Sequence, residues 1–191
     1  RQESFKPTGM VQVTLNNGSP EYNITEEVAY DYINADVIDF EKLKTCNCFY
    51  FGTLAQRSSV SRQCLETIFD RLSFELVFCD VNLRQSFYNP PILNFSLSHC
   101  TILKVNMEEI LPIAQLFAFP YDEIKAFAQA VSIRFPNINT IIITKGADGC
   151  ALWHSGELSE FATESIKVKD TIGAGDSFSA AYCAALLRTN D

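Results

Sequence analysis

Histidine is scarce in this sequence, positive charge is in deficit, and no apolar run is long. The two histidines, His99 and His154, have no partners at ligand spacing, and Cys46 and Cys48 are separated by one residue rather than two. No structural zinc framework can be read from such spacing. Lysine and arginine number 15 against 23 aspartates and glutamates, a net charge of -8. Nothing there supplies the basic stripe that tracks nucleic-acid phosphates, although a small anion needs only a few local donors and backbone N–H groups. The most apolar stretches, such as "NTIIIT", are strand length, so neither a membrane span nor a signal peptide is read. Internal repeats and low-complexity segments are also lacking.

Cysteine is not lacking. Cys46, Cys48, Cys64, Cys79, Cys100, Cys150 and Cys183 are odd in number, scattered and mostly inside apolar runs, the pattern of reduced thiols in a cytoplasmic protein. A chain of 191 residues is long enough for one core of useful size and short for two full domains. It begins at an arginine and stops just after a helical stretch, and both ends are expected to be cuts in a longer protein.

Residues 9–24, "GMVQVTLNNGSPEYNI", alternate as a strand does, break at Asn-Asn-Gly-Ser-Pro and resume as a second extended run, which predicts a hairpin-like flap. After residue 35 the pattern changes. Short apolar strands alternate with helical stretches: "CNCFYFG" then 57–72, "ELVFCDV" then 91–98, "TILKV" then 107–117 and 121–134, and "TIIIT" onward. Such alternation predicts an α/β core of βαβ units around a mostly parallel sheet, with an antiparallel pair around 150–162. The expected division is therefore 1–35 and 36–191.

Open parallel sheets bind ligands beyond the carboxyl ends of their strands. Four such ends carry polar clusters, "FGTLAQR", "DVNLR", "NMEE" and "TKGADG", each of which also reads as an ordinary loop. Asp80, Asn82 and Arg84 lie two apart, so an extended segment puts them on one face, able to orient a phosphate or to form a solvated turn. Asn106 with Glu109 matches a helix capping box, and a carboxylate there is also placed to hold a water of hydrated Mg²⁺. In "DTIGAGDSFSAAYCAALL", Gly173, Ala174 and Gly175 precede a helix expected over about 176–188. Their N–H groups and the positive helix end make an anion site. Asp176 beside it reads either as a base taking a proton from an attacking hydroxyl or as a plain helix cap; spacing leaves both open.

"DTIGAGD" resembles the C-terminal signature of the ribokinase-like, or PfkB-type, carbohydrate kinases, and "DVNLR", "NMEE" and "TKGADG" resemble that family's D-x-N-x-R, N-x-x-E and T-x-G-x-x-G segments in the same order. "PTGMVQVTL", "FGTLAQRS" and "DVNLRQSFY" resemble bacterial fructokinases in particular. The resemblance implies a three-layer sandwich with a small β lid, the lid and its return to the core being residues 1–35. It implies ATP and Mg²⁺, with a monovalent cation in some members, and a sugar as acceptor. Asp176 would be the base, and the amides of Gly173, Ala174 and Gly175 the hole for the transferring phosphoryl group. Thr144, Gly146 and Gly149 would shape the nucleotide side, with Asp80, Asn82 and Arg84 near the phosphoryl path and Thr171 also on the nucleotide. Asn106 and Glu109 would organise Mg²⁺ through water, and Gly9, Val11 and Val13 would belong to the lid over the sugar, whose strands can pair two subunits into a homodimer. Another sugar or a nucleoside as acceptor, or binding without turnover, are the competing expectations.

Overall fold

The computed structural model describes residues 5–16, 19–164 and 172–189. The chain divides into two compact units, Arg1–Thr45 with Leu54–Ser73, and Cys46–Thr53 with Phe74–Asp191. From the amino end the elements are β1 (Val11–Asn16), β2 (Ser19–Ile24), α1 (Phe40–Leu43), β3 (Cys48–Gly52), α2 (Ser59–Arg71) and β4 (Leu76–Asp80). They continue with α3 (Pro90–His99), β5 (Ile102–Asn106), α4 (Met107–Phe117), α5 (Ile124–Arg134), β6 (Thr140–Thr144), β7 (Cys150–His154), β8 (Glu157–Phe161) and α6 (Ala174–Thr189).

In the first unit β1 and β2 form the predicted antiparallel hairpin, with Val11 opposite Ile24 and Asn16 opposite Ser19. Val11 and Val13 are exposed. The polar centre of this unit is a buried pair in which Arg57 Nε and Nη2 each donate to one oxygen of Asp31, both at 2.8 Å. Nη2 also donates to the Thr25 carbonyl at 2.7 Å. A paired charge with further hydrogen bonds is the one form in which a carboxylate is tolerated so deep.

In the second unit six strands pair in chain order, β3 to β6 parallel and β7 and β8 antiparallel, the sheet that the alternation predicts. Strands covered on both faces read as unbroken apolar runs. Accordingly Val77, Phe78 and Cys79 of β4 and Ile141, Ile142 and Ile143 of β6 are all buried. Register sorts these side chains by face. Tyr50 pairs with Phe78, Phe78 with Ile102, and Ile142 with Lys104, so Cys48, Tyr50, Phe78, Asp80, Ile102, Lys104, Asn106, Ile142 and Thr144 share one face of the sheet. Phe178, Tyr182, Cys183 and Leu186 of α6 pack there on Phe78, Ile102 and Ile142. The other face, with Val77, Cys79, Leu103, Val105, Ile141 and Ile143, is buried under α3, α4 and α5, which touch β4, β5 and β7.

Helix starts follow local chemistry. Asn89 caps α3 by accepting from the Ile92 N–H at 2.9 Å, with Pro90 and Pro91 in the first turn, where their lack of an N–H costs nothing. α4 ends on Ala118 in the left-handed region, φ 56°. Among the described residues no helix is long and apolar enough to cross a membrane.

Candidate active site

On the face beneath α6 the apolar side chains lie deep, and the polar ones, Asp80, Lys104, Asn106 and Thr144, sit at the carboxyl ends of β4, β5 and β6. The amino end of α6 arrives above this polar row. Ser179 Oγ lies 3.3 Å from Asp80 Oδ2 and donates to the Gly175 carbonyl at 3.0 Å. Lys104 Nζ is 2.5 Å from Asp80 Oδ2, with both side chains buried, and Tyr50 Oη donates to the same oxygen at 3.2 Å. A Cβ built on Gly175 would lie 3.3 Å from Lys104 Nζ, so the helix start rests almost directly on that ammonium.

α6 begins at Ala174, two residues before the expected start, and the Ser177 N–H donates to the Gly173 carbonyl at 2.9 Å. Gly173 thus takes the cap position, and Asp176 is the third helical residue, exposed in the first turn. Of the two readings left open for Asp176, the cap position belongs to another residue. Gly173 has φ 76°, and among the described residues nothing lies within 4 Å of a built Cβ, so the turn needs glycine for its conformation. N–H groups of the cap and first turn have no carbonyl within the helix to bond.

The Asn106–Glu109 capping box forms as predicted. Asn106 Oδ1 accepts from the Glu109 N–H at 3.0 Å and Glu109 Oε2 from the Asn106 N–H at 2.9 Å. Glu109 Oε1 also accepts from the Leu83 N–H at 2.7 Å, which ties the loop after β4 to the start of α4. Burial pushes the Glu109 carboxyl above the usual range, reinforced by Asp80, while the two N–H bonds and Lys104 pull against it without cancelling it. The Tyr50 hydroxyl is likewise pushed up, first by burial and then by the Asp80 carboxylate, while Ser179 pulls against it.

Thr144 ends β6 beside Asn106, its register partner. Gly146 and Gly149 lie in the turn between β6 and β7 with φ 59° and 90°. The expectation that Asp80, Asn82 and Arg84 share a face of an extended segment is corrected: β4 ends at Asp80 and Asn82 is left-handed, φ 44°, so alternation stops there. Asp80 is buried while Arg84 is exposed. Thr171 lies outside the described residues. Gly9, Val11 and Val13 belong to the first unit, where a Cβ on Gly9 would come within 2.4 Å of the Tyr30 ring.

The sequence reading missed Lys104, Ser179 and Tyr50. A lysine within an apolar run bound for a two-sided parallel strand was the available signal, because a lysine is almost never fully buried without a carboxylate partner.

Among curated proteins the chain is 25% identical, over 98% of its length, to an uncharacterized sugar kinase of Pyrococcus horikoshii. It is 24% identical, over 97% of its length, to a fructokinase of Rhizobium leguminosarum bv. trifolii. It spans 58% and 56% of those two proteins. The Pyrococcus protein has been solved in complex with ATP, and the present structure superposes on it with a TM-score of 0.79, covering 97% of this chain and 59% of that one. A fructokinase of Vibrio cholerae O395, solved with fructose, ADP and calcium ion, matches with a TM-score of 0.73 at 17% identity, over 93% of this chain and 57% of that one. The fold is thus the ribokinase-like α/β arrangement. The pfkB family carbohydrate kinase model matches residues 1–191, the whole of this sequence, and the chain belongs to that family.

Proposed function

We propose that this chain carries the phosphoryl-transfer site of an ATP-dependent sugar kinase with fructose as acceptor. The observation that carries the reading is the start of α6: first-turn N–H groups after a left-handed Gly173, and an exposed carboxylate, Asp176, at the third helical position. A carboxylate at the edge of an anion site works against the ligand electrostatically, a cost that a proton-accepting role there explains.

In this reading the Asp176 carboxylate takes the proton of the acceptor hydroxyl as that oxygen bonds to the γ-phosphorus and the bond to the ADP oxygen breaks. The amides of Gly173, Ala174 and Gly175 meet the charge on the transferred group. Thr144, Gly146 and Gly149 border the nucleotide, and Asn82, Arg84 and Thr171 serve its phosphates. Gly9, Val11 and Val13 belong to a lid that excludes water from the transfer.

Both Glu109 oxygens already accept backbone N–H bonds, and among the described residues no group of three or more His, Cys, Asp or Glu is placed to hold a metal. Each oxygen keeps a lone pair, so Asn106 and Glu109 fit a role through the water shell of a nucleotide-borne Mg²⁺ and not a direct cage. Mg²⁺ there would offset phosphate charge. Fructose as acceptor is supported by the fructokinase-like stretches around Val11, Gln56 and Asn82 and by the Rhizobium relative.

The test is acceptor-dependent ADP release by the full-length protein with fructose, other hexoses, ribose and nucleosides, beside Asp176→Asn. Fructose is expected to give the highest kcat/KM, with kcat reduced by roughly 10²- to 10⁴-fold in the variant. Preference for another acceptor would overturn the fructose assignment alone. Nucleotide binding that no acceptor turns into ADP release would replace the kinase with a binding protein.

A further inference from the structure

Lys104 stands out as a buried cation that neither the capping box nor the anion turn requires. It is the only charged residue of β5, its side chain is 7% exposed, and its ammonium meets Asp80 on one side and the underside of Gly175 on the other. Had this lysine served only to neutralise Asp80, an apolar pair of similar volume would fill the site as well or better, since buried ion pairs seldom stabilise more than the hydrophobic groups that can replace them. What an apolar pair cannot supply is a fixed positive charge directly below the turn that receives an anion, in a place water does not screen.

We propose that Lys104 is a positioning residue for phosphoryl transfer: its ammonium, held by Asp80, supports the first turn of α6 from below and strengthens the field of the Gly173–Gly175 amides toward the transferred group. Asp80 aims the ammonium; Tyr50 donates to the same Asp80 oxygen, and Ser179 Oγ, whose one proton is shared with the Gly175 carbonyl, lies 3.3 Å from it. These residues come from β3, β4 and α6, so the carboxylate that holds the ammonium is itself met by two further elements. This inference rests on the phosphoryl-transfer reading above.

The experiment compares full-length wild type with Lys104→Met, Asp80→Asn, the double variant Lys104→Met/Asp80→Asn, and Asp176→Asn. It measures kcat, KM for ATP, thermal unfolding, and affinity for ADP with aluminium fluoride, a mimic of the phosphoryl group in flight. The double variant removes both charges and guards against a single variant that fails to fold by stranding Asp80. The expected result is a double variant that unfolds near the wild-type temperature, keeps KM for ATP within about 2-fold, and loses about 10²-fold in both kcat and affinity for the mimic. Asp80→Asn, which leaves the ammonium buried without the carboxylate that aims it, is expected to lose both thermal stability and kcat, unlike the double variant, which loses kcat without losing stability. Recovery of wild-type kcat and mimic affinity in the double variant would overturn the proposal and leave Lys104 a neutraliser of Asp80. Full activity in Asp176→Asn would instead defeat the phosphoryl-transfer reading, whatever Lys104 does.

Discussion

Gly146 and Gly149 sit three residues apart in one turn, both with positive φ, yet they are glycine for different reasons. Among the described residues a Cβ on Gly146 meets nothing within 4 Å, and its φ of 59° is a left-handed conformation that other residues reach at a cost. Gly149, at φ 90° and ψ -135°, would drive a Cβ to 1.9 Å from the Phe161 carbonyl oxygen, a backbone atom fixed in β8. Gly146→Ala is therefore expected to cost about 1 kcal/mol, whereas Gly149→Ala should cost several times that, because the end of β8 must move. Chemical denaturation of the two variants checks this, and equal costs would refute it. Nucleotide affinity read on the same variants then separates a glycine kept for the turn from one kept for a ligand.

Elements were more legible than contacts. The helix expected at 107–117 is α4, and the expectations at 91–98 and 121–134 differ from α3 and α5 by a few residues at their ends. Hydrophobic period and capping residues are local, so the sequence displays them directly. α6 began early because the Gly-Ala-Gly stretch, read as a turn, supplies the cap and first turn of the helix itself. Lys104 was hidden for another reason: only the β4–β5 register, which sets Asp80 opposite Lys104, shows that a lysine inside "TILKV" has its carboxylate 24 residues away. Asn106 also belongs to this scale, since it holds the α4 start whatever its role toward a ligand. Asn106→Ala is expected to lower stability by about 1 kcal/mol and Asn106→Asp to retain most of it, as measured by thermal unfolding without nucleotide. An Asn106→Ala variant as stable as wild type would mean that the capping box contributes nothing to the fold.

At the scale of the whole molecule, two buried carboxylates make stability respond to pH with opposite signs. Burial pushes Asp31 up, but the two Arg57 bonds and the Val28 N–H bond outweigh it and hold its carboxyl below the usual range. A carboxyl lowered on folding binds fewer protons in the native state, so its contribution is complete above the unfolded value of about 3.9 and fades as pH falls through the lowered one. Glu109 is raised, so the native state holds its proton longer. Its cost is absent below the unfolded value of about 4.3, grows as pH rises through the raised one, and is constant beyond. Thermal unfolding followed from pH 3 to pH 8 should therefore show a steep acid limb that Asp31→Asn flattens, at the expense of about 3–5 kcal/mol near neutrality because Arg57 is left buried without its counter-charge. Glu109→Gln should leave the acid limb of Asp31 in place and remove the opposing slope above it. If the two substitutions changed the profile in the same direction, the opposed environments of these carboxylates, one clasped by a guanidinium and the other desolvated between backbone amides, could not be the source of the pH response.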